Sequence, residues 1–202
     1  MINPDPAVET IPAGSDPATG LPRALAVRIG DRCIWLGNGG AANPDNLCEF
    51  GVIPDQVVSL TRYQTGATTE HCPLSNAVIN DPTAFDEAVG ATRACYRDNT
   101  TTLVHCAAGI SRSATVVATT LAAEEDRSLE AAIDTVQQYR HRANPHVKLR
   151  INACDYLSRH CDRTSKQEQL AEYARRVTIS AADATELDDQ IRRAGGDADV
   201  RR

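Results

Sequence analysis

The sequence predicts one α/β domain between residues 23 and 161, in which a central sheet is flanked by helices. Short apolar runs rich in β-branched residues alternate along the chain with longer segments of helical periodicity. The composition, 42% hydrophobic and 24% charged, is that of an ordinary globular domain. The longest apolar helical stretch, residues 114–123, is far shorter than the roughly 18 residues that span a bilayer. We therefore expect no membrane span.

Short strands make up the first half of the predicted domain. Four apolar runs predict them, at residues 24–29, 33–36, 57–60 and 72–74. The turn Gly30-Asp31-Arg32 separates the first two, and Pro73 shortens the fourth because proline has no N–H for a ladder. Between the second and third runs, Asn43-Pro44-Asp45 predicts the start of a short helix that ends at Gly51.

Helices dominate the second half. Asp81-Pro82-Thr83 predicts a helix start, because aspartate caps helices and proline fits their first position. The core side of this helix is predicted to carry Phe85, Ala88, Val89 and Thr92. Residues 101–105 are typical of a buried strand, and three further helices are predicted at about 112–124, 128–141 and 148–160.

The two ends of the chain differ from this domain. Residues 1–22 hold five of the ten prolines and no apolar periodicity, which predicts a disordered tail. Residues 162–202 begin with a capping box at 165–168 and are predicted to form a helical extension. Apolar or small side chains recur there seven apart, at Leu170, Val177, Ala184 and Ile191. We expect this helix to dock on the core, with a homodimer through the helix as the alternative.

Charge and cysteine content exclude several functional classes. The chain carries 21 basic and 27 acidic residues, a net charge of -6, whereas nucleic-acid binders present a basic field. The seven cysteines show no metal-binding spacing, so we expect reduced, mostly buried thiols and no metal or other cofactor. Early basic residues and an apolar secretory core are both missing from the N-terminus. These features predict a cytoplasmic protein that binds neither nucleic acid nor membrane.

The residues that carry chemistry are concentrated between 102 and 115. A predicted strand ends at Cys106, a loop with Gly109 follows, and a helix begins near Arg112. A loop over a helix N-terminus points backbone N–H groups at one spot, which attracts an anion and lowers the pKa of a thiol. Arg112 adds a two-pronged donor suited to phosphate oxygens. The pattern predicts phosphoryl transfer to the Cys106 sulfur.

This segment, His105-Cys106-Ala107-Ala108-Gly109-Ile110-Ser111-Arg112-Ser113, resembles the active-site loop of cysteine-dependent protein phosphatases, His-Cys-x5-Arg-Ser/Thr. Its Ser-Arg-Ser after the glycine is similar to the dual-specificity branch. The resemblance extends from Arg23 to Leu157, through Ile34-Trp35-Leu36-Gly37-Asn38 with Ala41, Leu103-Val104, and Asn144-Pro145 before Asp155-Tyr156-Leu157. It implies the family's α/β fold and metal-free hydrolysis of phosphoproteins through a phosphocysteine. Phosphotyrosine would be the main substrate, with phosphoserine or phosphothreonine secondary.

The resemblance also implies a role for each loop residue. Cys106 would be the nucleophile, Arg112 would clamp the phosphate, and Ser113 would hydrogen-bond the thiolate and help it leave. His105 would orient the loop and lower the pKa of Cys106. Backbone N–H groups for the phosphate would come, together with the Arg112 side chain, from Ala107, Ala108, Gly109, Ile110 and Ser111. Because the loop side chains include no lysine, a phosphoinositide substrate is disfavoured.

One position departs from the family pattern. The family places an aspartate general acid in a Pro-apolar-x-Asp string, and here that string is Pro73-Leu74-Ser75-Asn76, with Asn76 thirty residues before Cys106. An amide cannot protonate a leaving alkoxide, and losing a general acid typically costs on the order of 10²–10⁴ in rate. Three hypotheses stay open: Asp81 or His71 acts instead, the enzyme is slow on poor leaving groups, or the chain mainly binds phosphoproteins. Because the nucleophile, arginine and serine are all present, we favour an active enzyme.

Overall fold

The computed structural model describes residues 23–49, 51–76 and 80–161. Five strands form one sheet: β1 (Ala26–Arg28), β2 (Ile34–Gly37), β3 (Gln56–Ser59), β4 (Glu70–His71) and β5 (Thr102–His105). Their order across the sheet is β1-β2-β5-β3-β4, with β1 antiparallel to β2 and all other neighbours parallel. The predicted N-terminal tail and C-terminal helical extension lie outside the described residues.

The helices cover both faces of this sheet. A short 3-10 helix (Gly39–Ala42) and α1 (Pro44–Glu49) follow β2. The remaining helices are α2 (Pro82–Arg97), α3 (Arg112–Glu124), α4 (Leu129–Tyr139) and α5 (Val147–His160). Because α3 packs against α2, α4 and α5, it is the central helix of its layer. The predicted α/β class, a central sheet with flanking helices, is confirmed.

Strand alternation divides the core into two clusters, as a period of two requires. Leu36, Val58 and Val104 face the layer of α2 to α5, and Trp35 and Leu103 face α1 and the 3-10 helix. The larger cluster includes most of the α3 surface. Ten of its thirteen residues are buried, among them three threonines. Two of these hydroxyls, on Thr115 and Thr119, donate to the carbonyl one turn earlier, which satisfies polar groups inside the core.

Local sequence signals set the helix boundaries. Asp81 caps α2 by accepting from Thr83 N at 2.8 Å, and Pro82 is its first residue, as predicted. The Ser128 hydroxyl caps α4. Gly51 follows α1 with a φ of 65°, a conformation that favours glycine. In the part of the chain that the structure describes, none of the helices has the length and apolar character needed to cross a membrane.

The fourth strand is the one element whose position was predicted wrongly. The apolar run 72–74 predicted it, whereas β4 is Glu70–His71. Cys72 N still donates to Ser59 O at 2.9 Å, and Leu74 N to Leu60 O at 3.3 Å. Between them, Pro73 has no N–H to donate, so the regular ladder ends at His71 and the chain continues as an extended segment.

Six cysteines whose side chains the structure describes are outside any disulfide: Cys33, Cys72, Cys95, Cys106, Cys154 and Cys161. Three of the six are buried, namely Cys72, Cys106 and Cys154, and the others are partly exposed. The prediction that most are buried therefore holds for half of them.

Candidate active site

The loop from Cys106 to Ser111 lies where the central parallel strands end. His105, the last residue of β5, is in register with Gly37 of β2 on one side and Ser59 of β3 on the other. The three strands thus present their carboxyl ends at one edge of the sheet. In open α/β sheets this is the edge where ligands bind.

The loop holds its backbone carbonyls away from its own centre. Three carbonyls accept hydrogen bonds from outside the loop: Ala107 from Gly39 N at 3.2 Å, Gly109 from Arg140 Nε at 3.1 Å, and Ile110 from Asn144 N at 2.8 Å. All described peptide bonds are trans, so each carbonyl points opposite to the N–H of the next residue. The N–H groups that follow these carbonyls therefore face the inside of the loop, which is the arrangement that binds an anion.

Gly109 is required by both its conformation and its surroundings. Its φ is 63°, in the left-handed region that side chains disfavour. A Cβ at this position would lie 3.0 Å from backbone atoms of Gly37. Any other residue would strain the loop and push it away from the end of β2.

The Cys106 thiol lies at the bottom of the loop, and only 2% of the residue is exposed. Its sulfur is 3.3 Å from Ser113 Oγ. Burial acts to raise the pKa of Cys106, but hydrogen bonds from the Ser113 hydroxyl and backbone, the charge of Arg112 and the Ile110 backbone together lower it below the ordinary value. The thiolate, which is the nucleophilic form of cysteine, is therefore favoured.

Arg112 is the first residue of α3, and its guanidinium is anchored across two segments. Nη1 donates to Leu60 O at 3.0 Å and to Leu74 O at 3.3 Å. Leu60 follows β3, and Leu74 belongs to the extended segment after β4. These two bonds fix the guanidinium beside the loop, where its charge acts on Cys106.

His105 differs from what the resemblance implies. It is fully buried, and neither ring nitrogen has a hydrogen-bond partner among the described residues. Burial lowers the pKa of His105 to about 4; the Cys106 backbone acts to raise it, and the charge of Arg112 adds to the lowering. The imidazole is therefore neutral at neutral pH and brings no positive charge to the thiolate. The expected effect of His105 on the pKa of Cys106 has no support here; Ser113, Arg112 and loop backbone groups account for the lowering instead.

The general-acid position does lie at the loop, but it holds an amide. Asn76 is exposed, and its Oδ1 accepts from Ser111 Oγ at 3.1 Å. The same hydroxyl accepts from His146 N at 3.0 Å, so one serine links the loop to both segments. Of the three residues considered for the acid, Asn76 contacts the loop directly. Asp81 serves as the cap of α2.

His71, the third candidate for the acid, is held in β4. Its Nε2 lies 2.9 Å from Thr61 O and donates there when it carries the proton. A proton on His71 Nε2 therefore points at the Thr61 carbonyl. The structure therefore brings Cys106, Arg112, Ser113 and Asn76 together and leaves Asp81 and His71 in contacts of their own.

A cavity of about 550 Å³ borders the loop. Arg112 and Asn76 line it, together with Arg62, Pro73, Leu74, Ser75 and Asn80. Its volume is within the range of roughly 300–1,000 Å³ that is common for ligand sites. Arg112, which follows the loop, is one wall of the cavity, and Asn76, on another wall, is hydrogen-bonded to Ser111 of the loop.

Sequence reasoning missed the residues that support the loop from a distance. Arg140 is buried, donates to Gly109 O, and has an Nη2 without a partner among the described residues. Burial lowers the pKa of Arg140, as does the nearby Arg142, whereas Cys106 acts to raise it. Arg140 is one arginine among many, so nothing local distinguished it. Its contact depends on how α4 packs behind the loop.

A buried thiol under a loop with inward N–H groups, with an arginine at the start of the next helix, defines the class of cysteine-based phosphatases. The comparison with protein families identifies the branch. The family model for the dual specificity phosphatase catalytic domain matches residues 57–158, and the chain belongs to this family. It is thus a member of a family of protein phosphatases, which are hydrolases. No curated protein matches the sequence.

Solved structures similar to this chain belong to the same family. A mouse putative dual specificity phosphatase complexed with zinc tungstate is 26% identical, with a TM-score of 0.56, over 66% of this chain and 89% of that one. Human DUSP28 is 25% identical, with a TM-score of 0.55, over 64% and 94% of the two chains. The human tyrosine phosphatase-like serine/threonine/tyrosine-interacting protein is 20% identical, with a TM-score of 0.53, over 66% and 95%, and shares the fold.

Proposed function

We propose that the protein is a phosphoprotein phosphatase that acts mainly on phosphotyrosine through a phosphocysteine at Cys106, with phosphoserine and phosphothreonine as secondary substrates. The observation that carries this proposal is the Cys106 thiol itself. Its pKa is lowered, and its sulfur lies 3.3 Å from the Ser113 hydroxyl. The loop above it turns its carbonyls outward to Gly39, Arg140 and Asn144. A thiolate and an anion site therefore occupy the same place.

The reaction would proceed in two displacements at phosphorus. The Cys106 thiolate attacks in line, an S–P bond forms, and the P–O bond to the substrate oxygen breaks. Loop N–H groups and the Arg112 guanidinium hold the phosphoryl oxygens during this step. Water then attacks phosphorus and the S–P bond breaks. Inorganic phosphate leaves with the oxygen and both protons of that water, and the Cys106 thiolate is regenerated. The Ser113 hydroxyl stabilises the departing thiolate by donating to it.

The amide at position 76 supports phosphotyrosine as the main substrate. A tyrosine leaves as a phenolate, whose conjugate acid has a pKa of about 10, whereas serine leaves as a much more basic alkoxide. A phenolate therefore needs less protonation in the transition state. Because position 76 holds an amide and not a carboxylate, the rate on phosphotyrosine should be reduced less than the rate on phosphoserine.

The mouse phosphatase complexed with zinc tungstate gives further support. Tungstate is a tetrahedral oxyanion, as phosphate is. A relative of 26% identity that was crystallised with a tetrahedral oxyanion supports an anion site in this chain.

The direct test is steady-state hydrolysis of an aryl phosphate, a phosphotyrosine peptide and a phosphoserine peptide by the full chain. We expect turnover of the first two and slow turnover of the third. Cys106→Ser should lower the rate on all three by at least about 10⁴, because an alcohol is a poor nucleophile at neutral pH. Cys95→Ser, a change at a partly exposed free thiol, is the matched control and should keep its activity. Full activity in Cys106→Ser would overturn the mechanism.

A second candidate function is a phosphoprotein-binding module, and Asn76 favours it. The groups that would bind the anion do not include the general acid. Phosphopeptides would therefore bind to the site and dissociate with their phosphate still attached. Binding of a phosphotyrosine peptide to the wild-type chain, with no phosphate released from that peptide or from the aryl phosphate, would select this function over hydrolysis.

A further inference from the structure

Two buried asparagines connect the last helix to the segment that follows β4. Asn152 lies on α5, and Asn80 directly precedes Asp81, the cap of α2. The Asn152 side chain accepts from Asn80 N at 3.1 Å and donates to Asn80 O at 2.9 Å. Both polar atoms of this amide are therefore used on the backbone of one residue.

Asn80 repeats this arrangement one step closer to the loop. Its Oδ1 accepts from Ser75 N at 2.7 Å, and its Nδ2 donates to Ser75 O at 2.9 Å. A buried amide that binds a donor and an acceptor at the same time has its orientation fixed. The two asparagines together thus hold the Ser75 backbone in a fixed position relative to α5.

The peptide group that Asn80 holds also anchors Arg112. The N–H of the peptide between Leu74 and Ser75 donates to Asn80 Oδ1, and the carbonyl of the same peptide, Leu74 O, accepts from Arg112 Nη1 at 3.3 Å. A trans peptide is planar, so its N–H and C=O point in opposite directions and cannot turn independently. When Asn80 fixes the N–H, it therefore also fixes the direction in which the carbonyl meets the guanidinium.

We propose that Asn80 and Asn152 are positioning residues, which orient the Arg112 guanidinium through this peptide and thereby set the affinity of the loop for a phosphoryl group. The inference rests on the proposed function, because that function assigns the phosphoryl group to the loop and to Arg112. Leu60 O, the other acceptor of Arg112 Nη1, keeps the guanidinium near the loop when the connection is broken. We therefore expect weaker anion binding in the variants and not its complete loss.

The test measures the affinity of the full chain for sodium tungstate by isothermal titration calorimetry, so that it does not depend on turnover. Asn80→Leu and Asn152→Leu nearly keep the shape of the side chain and lose both of its hydrogen bonds. We expect each to weaken tungstate binding about fivefold, the effect of one hydrogen bond. Asn152→Asp keeps the acceptor for Asn80 N and is the milder variant, with an expected loss of about twofold.

Thr119→Val is the matched control. It also removes a buried hydrogen bond with little change in shape, in this case the one from Thr119 Oγ1 to Thr115 O within α3. It should lower the Tm, as the asparagine variants do, and leave the tungstate affinity unchanged. A lower Tm with unchanged tungstate affinity in the Asn80 and Asn152 variants would overturn the proposal, because a purely structural role predicts that result.

A double-mutant cycle tests whether the asparagines act through Arg112. In the Arg112→Lys background the guanidinium that Leu74 O orients is gone, so Asn80→Leu should have little further effect on tungstate affinity. The same fivefold loss in both backgrounds would overturn the route through Arg112.

The two proposals can fail separately. Weaker tungstate binding in the variants together with an inactive wild-type chain would support the positioning role and overturn the proposed hydrolysis. Hydrolysis of the aryl phosphate by the wild-type chain, with equal tungstate affinities in wild type and variants or with no tungstate binding at all, would overturn the positioning role and support the hydrolysis.

Discussion

The loop between β5 and α3 and the segment that follows β4 are joined by the Ser111–Asn76 hydrogen bond, but they are held by different means. The loop is buried at Cys106 and tied to three other parts of the chain through its carbonyls. In the segment after β4, the exposed Asn76 meets the loop, because its Oδ1 accepts a hydrogen bond from the Ser111 hydroxyl. Under the proposed function, the loop binds the phosphoryl group and presents the nucleophile, whereas the neighbouring segment has an amide at the family's general-acid position. Nucleophilic attack and leaving-group protonation are therefore separate properties of this site, and mutations can vary one without the other.

After the loss expected for Cys106→Ser, the largest effect is expected at Arg112. Arg112→Lys keeps the positive charge but loses the planar fork that holds two phosphoryl oxygens. The kcat/KM for an aryl phosphate should fall by about 10³, at the lower end of what a phosphoryl-stabilising arginine contributes. Arg97→Lys, at a mostly exposed position on α2, should leave kcat/KM unchanged. A loss below tenfold in Arg112→Lys would mean that the backbone of the loop holds the phosphate without the guanidinium.

The segment after β4 should respond in the opposite direction. Asn76→Asp introduces a carboxyl group beside the loop, and hydrolysis of a phosphoserine peptide should rise by roughly 10², the usual contribution of a general acid. The aryl phosphate should change little, because its leaving group needs little protonation. The ratio of the two rates is the measurement.

Asp81→Asn and His71→Gln serve as comparisons for that prediction. If either lowers phosphoserine turnover while Asn76→Asp has no effect, the acid is the residue that was changed. The separation between the loop and the segment after β4 would then be wrong, because a proton donor would reach the site from elsewhere.

Ser113→Ala tests how much the Ser113 hydroxyl lowers the pKa of Cys106. It removes the hydroxyl 3.3 Å from the Cys106 sulfur, one of the groups that lower the pKa of Cys106. The thiolate forms as pH rises through this pKa, so the rate of Cys106 alkylation by iodoacetamide should reach its midpoint at a higher pH in the variant. Turnover should fall about tenfold, as expected for one hydrogen bond to a charged group. An unchanged alkylation profile would assign the lowered pKa to Arg112 and the backbone.

The smallest effect is expected at Arg140, which supports the loop from behind. Arg140→Met keeps the aliphatic stem and loses the bond from Nε to Gly109 O. We expect kcat to fall about fivefold, the equivalent of one hydrogen bond. The Tm should not fall, because Arg140 forms no ion pair among the described residues, and replacing a buried charge with an apolar side chain is often neutral or stabilising. A lower Tm with normal kcat would make Arg140 purely structural.

Much of the fold follows from local signals in the sequence. Asp81 and Pro82 set the start of α2, Gly51 follows the end of α1, and five apolar runs predicted the strands to within a few residues. The strand that differs from its predicted position, β4, lies beside Pro73. The apolar side chains there favour a strand, but proline has no N–H for the hydrogen-bond ladder. The N-terminal tail, the C-terminal helix and its homodimer stay predictions, as does the cytoplasmic location.

By itself, the sequence determined the part of the site that is contiguous: the thiol of Cys106, the turn at Gly109, and Arg112 with Ser113 at the start of α3. Strand end, turn and helix start are properties of neighbouring residues, so their geometry is encoded locally. Only the tertiary structure decided that Arg140 supports the loop, that Asn76 meets Ser111, and that Arg62 lines the same cavity as Arg112. These residues lie on segments far apart in the chain. Which of their side chains reach the loop depends on how the helices pack on the sheet, and no local pattern specifies that packing.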